Sequence, residues 1–237
     1  MKTVILIPTY NESENIEKLV SLIFELQPNI YIKVIDDNSP DGTGNIVKSI
    51  MQKFPKLSLL SRKGKEGLGK AYTHGFREVL KNKDTTHVIM MDADFSHHPK
   101  YLSEMILKSV DYSVVIGSRY IYGGGTKGWE LWRRILSRGA NLYCRLITGL
   151  PIKDCTGGFN IINIDLLKKI DFSKMDASGY AFIQEIKYTL HKAGGVFYEV
   201  PIIFENRLGG ESKMSGHIMR EGIIAPWKMR WKNYSKK

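Results

Sequence analysis

Asp92 and Asp94, two carboxylates one residue apart, are the groups in this chain whose type and spacing most directly suggest chemistry. They follow Val88-Ile89-Met90-Met91, an apolar run suited to an interior strand. A buried parallel strand that ends in acids opens into the crevice where open α/β sheets bind ligands. Alternate residues on extended backbone point the same way, so both carboxylates can address one cation. Hard oxygen donors suit Mg²⁺ or Mn²⁺, held by one or two carboxylates plus substrate phosphates. The bland alternative is a helix cap, because Asp94 and Ser96 precede Pro99.

The strands and helices that would position these acids can be read from periodicity. Thr3–Tyr10, Ile30–Asp37, Leu57–Leu60, the run before Asp92, and Ser113–Gly117 read as strands. Between them, Ile16, Leu19, Val20, Ile23 and Phe24 recur at helical spacing, as do Ile46, Val47, Ile50 and Met51. A third helix follows Gly67 and Gly69, and a fourth spans about Pro99 to Lys108. This βα alternation predicts an α/β fold with a mostly parallel sheet flanked by helices. Strand ends at Tyr10-Asn11-Glu12, Asp36-Asp37 and Asp92–Asp94 would then share one acidic edge.

Later in the chain, Gly123-Gly124-Gly125 reads as a hinge-like loop and Trp129–Ile147 as a helix. Thr156–Asn160 turns into a strand, Phe182–Lys192 is a helix, and Val196–Phe204 reads as one strand. Residues 1–216 are expected to form the catalytic domain, with 217–237 a basic amphipathic segment.

The 237 residues carry a formal net charge of +11, which implies an acidic partner. Nucleic acid is disfavoured: the cations gather late in the chain beside tryptophans, without a recognised motif. Cys144 and Cys155 fit neither a redox pair nor a zinc site, so a reducing cytosol is expected. No apolar run reaches the ~18–20 residues of a membrane span, and the N-terminal run is too short for a secretory signal. The reading is a cytoplasmic protein, soluble or peripheral on the cytosolic face of a membrane. Lys127–Arg145 and the C-terminal stretch pair basic residues with Trp129, Trp132, Trp227 and Trp231, the composition of an interfacial element. A core-packing helix with a solvated basic face is the alternative.

Six stretches in fixed order carry a family resemblance: Pro8-Thr9-Tyr10-Asn11-Glu12; Ile35-Asp36-Asp37-Asn38-Ser39-Pro40-Asp41-Gly42-Thr43; Gly67-Leu68-Gly69-Lys70-Ala71-Tyr72; Asp92-Ala93-Asp94-Phe95-Ser96-His97-His98-Pro99; Gly117-Ser118-Arg119-Tyr120; and Arg207-Leu208-Gly209-Gly210-Glu211-Ser212-Lys213. Together they resemble the polyprenol-phosphate (dolichol-phosphate) mannose synthases, inverting nucleotide-sugar glycosyltransferases of the GT-A fold. The resemblance implies transfer of mannose from GDP-mannose to a polyprenyl or dolichyl monophosphate, with Mg²⁺ or Mn²⁺. Glucosyl or other hexosyl transfer from a UDP-sugar is the alternative.

It further implies that Pro8, Tyr10, Glu12, Ile35 and Asp37 hold the nucleoside, and that Asp92, Ala93 and Asp94 hold metal and diphosphate. Arg119, Arg207 and Lys213 would meet phosphate oxygens. Asp94, Arg119 and Arg133 stand nearest the chemistry, Arg119 and Arg133 orienting the acceptor phosphate, with Arg134 and Arg138 behind them. Ser96 stands where some of these synthases carry a longer amide, which leaves a third protein ligand for the metal in doubt. His97 and His98 are weaker ligand candidates, because adjacent residues point differently. Gln184-Glu185-Ile186-Lys187-Tyr188 departs from the Gln-x-x-Arg-Trp motif of processive polymer synthases. Many such synthases carry C-terminal membrane helices or a small membrane-anchoring subunit. This chain resembles the soluble subclass, and its partners would include a membrane surface.

Overall fold

The computed structural model describes residues 2–175, 179–205 and 216–232. In chain order the elements are β1 (Lys2–Thr9), α1 (Ile16–Leu26), β2 (Tyr31–Asp36), α2 (Thr43–Ile50), β3 (Leu57–Ser61), α3 (Leu68–Leu80) and β4 (Thr85–Met90). A short 3-10 turn at Pro99–Tyr101 leads into α4 (Leu102–Lys108) and β5 (Val114–Ser118). There follow β6 (Gly125–Lys127), α5 (Leu131–Thr148), β7 (Asn160–Asn163), α6 (Ile164–Leu167), α7 (Gly179–Lys192), β8 (Phe197–Pro201), β9 (Ile203–Glu205) and α8 (Gly216–Trp231).

Among the described residues seven strands form the main sheet in the order β3-β2-β1-β4-β7-β5-β8, with β7 antiparallel to both neighbours and the other pairings parallel. Central strands are apolar on both faces because helices cover both: Ile5, Ile7 and Ile89 pack toward α1, while Leu6, Ile35 and Met90 pack toward α3 and α7. Gly75 permits the close seating of α3. A Cβ there would lie 2.5 Å from Ile35 Cδ1 and 2.9 Å from Leu6 Cδ1.

Registers Thr9↔Asp36 and Leu6↔Met90 bring the ends of β1, β2 and β4 to one edge. Two expectations change. Residues 197–205 are not one strand: β5 ends at Ser118, so beyond Pro201 the chain leaves that partner and pairs with Gly125–Lys127 in a second, two-stranded sheet. Nor is Gly123–Gly125 a hinge. Gly125 opens β6, and a Cβ on Gly124 would sit 2.5 Å from the Ser118 carbonyl, so the glycine serves close packing.

The described part of the C-terminal segment is α8, which lies along α5. Arg230 Nη1 donates to Ile147 O at 2.7 Å, Trp227 Nε1 donates to the Tyr143 hydroxyl at 2.9 Å, and that hydroxyl donates to Ile223 O at 2.9 Å. Among the described residues no helix is long and apolar enough to cross a membrane.

Candidate active site

The loops after β1 and β2 are zipped together at the sheet edge. Backbone N–H groups of Asn11, Glu12 and Ser13 donate to Ser39 Oγ, Thr43 Oγ1 and Asp41 Oδ2 at 3.1, 2.9 and 2.9 Å. Although partial burial opposes it, hydrogen bonds from Thr43 and Ser13 hold the Asp41 carboxyl at about 2. This zipper sets Pro8, Tyr10 and Glu12 beside Ile35 and Asp37. Tyr10 is half-buried, with Lys65 Nζ 4.1 Å from its ring centroid. Glu12 Oε2 accepts from Asn15 Nδ2 at 3.0 Å.

The adjacent acids of β2 divide their work. Asp36 is a structural acceptor, taking Thr9 Oγ1 at 3.0 Å and Ser39 Oγ at 2.6 Å. Asp37 is buried and meets Arg62 Nη1 at 2.6 Å, and Arg62 also reaches Glu66 at 3.0 Å. Burial raises the Asp37 carboxyl above the usual range, against the lowering pull of Arg62. Sequence reading missed Arg62, which lies one residue past β3 and becomes informative only once β2 and β3 are paired.

Asp92 and Asp94 lie in the bend after β4. The helical cap reading fails for Asp94: the turn at Pro99 is capped by His98, whose Nδ1 accepts from Lys100 N–H. Asp94 Oδ1 instead accepts from Ser96 N–H at 3.1 Å and from the Ser96 hydroxyl. Asp92 N–H donates to His97 Nδ1 at 3.0 Å, so that nitrogen is an acceptor and its lone pair is committed. His97 is 1 % exposed, and burial lowers its pKa, which favours the neutral ring. It stacks on Phe159 at 5.2 Å. Its place in the bend is therefore that of a support for Asp92.

Among the described residues no cluster of three or more His, Cys, Asp or Glu side chains could hold a metal. The Asp92–Asp94 pair still fits a hard cation completed by phosphate and water oxygens. Gly158 passes close beside the pair: a Cβ there would be tight against His97 Cε1 at 3.1 Å and in ordinary contact with both Asp92 carboxylate oxygens at 3.7 Å. Beneath, Tyr72 is wholly buried, and burial together with the Asp92 and Asp94 charges pushes its phenol well above the usual range.

Arg119, just past β5, lies within electrostatic reach of His97, as do Asp92 and Asp94. Its Nε and Nη2 fork onto Asp154 Oδ2 and Oδ1, each at 2.8 Å, and Nη2 also donates to Thr156 Oγ1 at 2.7 Å. Asp154 is fully buried. Burial opposes its charge, yet Arg119 and the Lys187 cation hold its carboxyl far below the usual range. The Arg119 guanidinium also lies 5.7 Å from the Trp129 ring centroid, and Arg133 packs on that same ring at 4.2 Å. The structure thus brings Arg119 and Arg133 together on Trp129. Arg134 and Arg138 lie exposed further along α5. Arg207 and Lys213 fall outside the described residues, in the segment that β9 leads into. Asp154, Thr156 and Lys187 escaped sequence reading, although the polar run Asp154-Cys155-Thr156-Gly157-Gly158 before a buried strand was the available signal.

The family model described as "Glycosyl transferase family 2" matches residues 4–171. A polyprenol monophosphomannose synthase of Mycolicibacterium smegmatis is 39% identical, over 97% of this chain and 88% of its own length. An undecaprenyl-phosphate mannosyltransferase of Micrococcus luteus is 36% identical, over 94% of this chain and 92% of its own. Among solved structures, a glucosyl-3-phosphoglycerate synthase from Mycobacterium tuberculosis superimposes with a TM-score of 0.67 at 16% identity, covering 96% of this chain and 79% of that one. A mannosyltransferase from Pyrobaculum calidifontis, solved with GDP-Man and Mn²⁺, gives 0.64 at 17% identity, covering 99% and 66%. These two structural likenesses carry the GT-A fold. With a family model spanning most of its length and two relatives aligned nearly end to end, the chain belongs to glycosyl transferase family 2 and is a glycosyltransferase.

Proposed function

We propose that the enzyme transfers mannose from GDP-mannose to a polyprenyl monophosphate, with inversion at the anomeric carbon. The observation that carries the reading is the Asp154–Gly158 turn, which holds the Arg119 fork on Asp154 at one end and passes Gly158 beside the Asp92 carboxylate at the other. The Asp92 end suits a metal-bound diphosphate and the Arg119 end suits a phosphate acceptor. The names of the two relatives reported above supply the sugar and the lipid.

Asp92 and Asp94 would hold Mg²⁺ or Mn²⁺, which supplies charge neutralisation for the departing diphosphate when bound. Tyr10 offers the base a stacking face, while Asp37 and Glu12 accept from ribose or base N–H groups. Arg207 and Lys213, outside the described residues, would meet the diphosphate oxygens, as the family resemblance implies. A phosphate monoester has a second pKa of about 6, so the acceptor is largely a dianion near pH 7 and needs no general base. It needs cations that orient it, and Arg119 and Arg133 fill that role. Attack from the face opposite the leaving group inverts the anomeric centre without a covalent sugar–enzyme intermediate.

A long-chain acceptor resides in a bilayer, and one face of the protein suits docking there. Leu131, Ile135, Leu142 and Leu146 of α5 lie exposed, as do Ile223, Trp227 and Trp231 of α8. Arg134, Arg138, Arg145, Lys228 and Arg230 accompany them. This composition suits contact with the cytosolic leaflet, directly or through a small anchoring subunit.

The deciding experiment is a transfer assay with purified protein, Mn²⁺, a short polyprenyl phosphate, and GDP-mannose beside UDP-glucose. Lipid-phase label from GDP-mannose, abolished by EDTA, is the expected result. Label from UDP-glucose alone would replace the sugar while keeping the acceptor.

A further inference from the structure

The turn from Asp154 to Gly158 is gripped from behind by a lysine. Lys187 of α7 is 1 % exposed, and its Nζ donates to Asp154 O and Gly157 O, each at 2.8 Å. Asn160 Nδ2 donates to the same Gly157 carbonyl at 3.2 Å. On the front of the turn the Asp154 carboxylate collects Arg119 N–H, Nε and Nη2 together with Gly157 N–H, at 2.8–3.0 Å. Asn141 of α5 closes the side, its Oδ1 accepting from Cys155 N–H at 2.7 Å and its Nδ2 donating to Thr156 Oγ1 at 3.1 Å.

A buried ammonium costs several kcal/mol of desolvation, whereas an apolar side chain of like volume would fill a helix–loop contact without that cost. The chain nonetheless keeps a cation here, one helical turn beyond Gln184. What the cation does that an apolar chain could not is pull two main-chain carbonyls, three residues apart, onto one point. That convergence fixes the pitch of the turn. The pitch of the turn fixes where the Asp154 carboxylate stands, and both of its oxygens are already committed to the Arg119 fork.

We propose that Lys187 is a positioning residue for the acceptor phosphate: by closing the Asp154–Gly157 turn it holds Asp154, and through Asp154 it aims Arg119. This rests on the assignment of Arg119 to the acceptor made above. Lys187 acts through the turn and does not touch substrate.

The test compares wild type with Lys187→Met and Lys187→Gln. Folding is followed by circular dichroism, and binding of a short polyprenyl phosphate and of Mn²⁺–GDP by calorimetry. Steady-state kinetics are run at saturating GDP-mannose. In Lys187→Met, the KM and Kd for polyprenyl phosphate should rise about tenfold, while the Kd for Mn²⁺–GDP changes by less than about twofold and kcat by less than about threefold. Lys187→Gln, which keeps an N–H donor, should fall between. Wild-type acceptor affinity in the Met variant would overturn the proposal. So would an equal loss of acceptor and donor binding, or failure of both variants to fold, because each makes Lys187 a general structural residue. If wild type binds polyprenyl phosphate but forms no mannosyl lipid, the reaction assigned above fails while the binding series still judges Lys187. If wild type binds no polyprenyl phosphate, both fail.

Discussion

Arg119 and Asp154, 35 residues apart, form a buried two-point fork with both N···O distances at 2.8 Å, and Asp154 is wholly shielded from water. The pair joins the end of β5 to the turn before β7. A cation expected to meet phosphate is therefore also a structural partner, held in a fixed orientation by a carboxylate. Pre-set orientation is what a phosphate-orienting cation requires, since a mobile guanidinium would lose side-chain entropy on each binding event.

Removing that carboxylate should cost stability in a pH-dependent way. Asp154 has its pKa depressed in the folded state, so its contribution is present above the unfolded carboxyl value and is lost as pH falls through the folded one. Asp154→Ala, which leaves the buried Arg119 cation without its carboxylate, should lose about 3–5 kcal/mol near pH 7. Urea unfolding at a series of pH values should show the difference from wild type shrinking toward strong acid. A constant difference across pH would assign the loss to packing alone.

Asp94→Ala should abolish Mn²⁺ retention and lower transfer at least about 100-fold, equivalent to about 2.7 kcal/mol in the barrier. Electron paramagnetic resonance of free Mn²⁺ reads the first effect without turnover. Because the turn at Pro99 is capped by His98, the variant should melt close to wild type. A large melting shift would restore the cap reading of Asp94.

Donor affinity should depend on Asp37 ionisation. Burial raises the Asp37 carboxyl and Arg62 opposes that rise, so affinity for GDP should increase as pH climbs through the Asp37 pKa. Arg62→Met removes the opposing charge, and the rise in affinity should move to higher pH. Calorimetry of GDP binding between about pH 4 and 8 checks this against the usual carboxylate range. Superimposable curves for the two proteins would exclude Asp37 as the titrating ligand group.

Vesicle binding should track the α5–α8 face. Leu146 and Trp231 are 73 % and 75 % exposed there, with the Trp231 ring stacked on Trp227 at 5.5 Å. Flotation with anionic vesicles should be lost in Leu146→Glu/Trp231→Ser and weakened by salt, each basic residue near the surface contributing about 1 kcal/mol. Mannosyl transfer to a short, water-soluble acceptor should survive that double change. Equal flotation on neutral vesicles would point to the apolar residues alone.

What the sequence determined by itself was local. Apolar periodicity marked the β–α alternation, and acids at strand ends marked one edge of a parallel sheet. The order of Asp92, Ala93, Asp94 and Arg119 within their motifs pointed to nucleotide-sugar chemistry. These signals are legible because strand alternation, helix spacing and chain reversal depend on neighbours a few residues apart. Only the tertiary structure decided the rest. It inserted β7 backward between β4 and β5, sent residues 203–205 to a second sheet, and laid α8 along α5. It also paired Asp37 with Arg62 and Arg119 with Asp154, and buried Lys187 under the Asp154–Gly157 turn. A charged side chain does not reveal in sequence whether it faces water or a partner. That is settled when distant segments pack and an unpaired charge becomes too costly to bury.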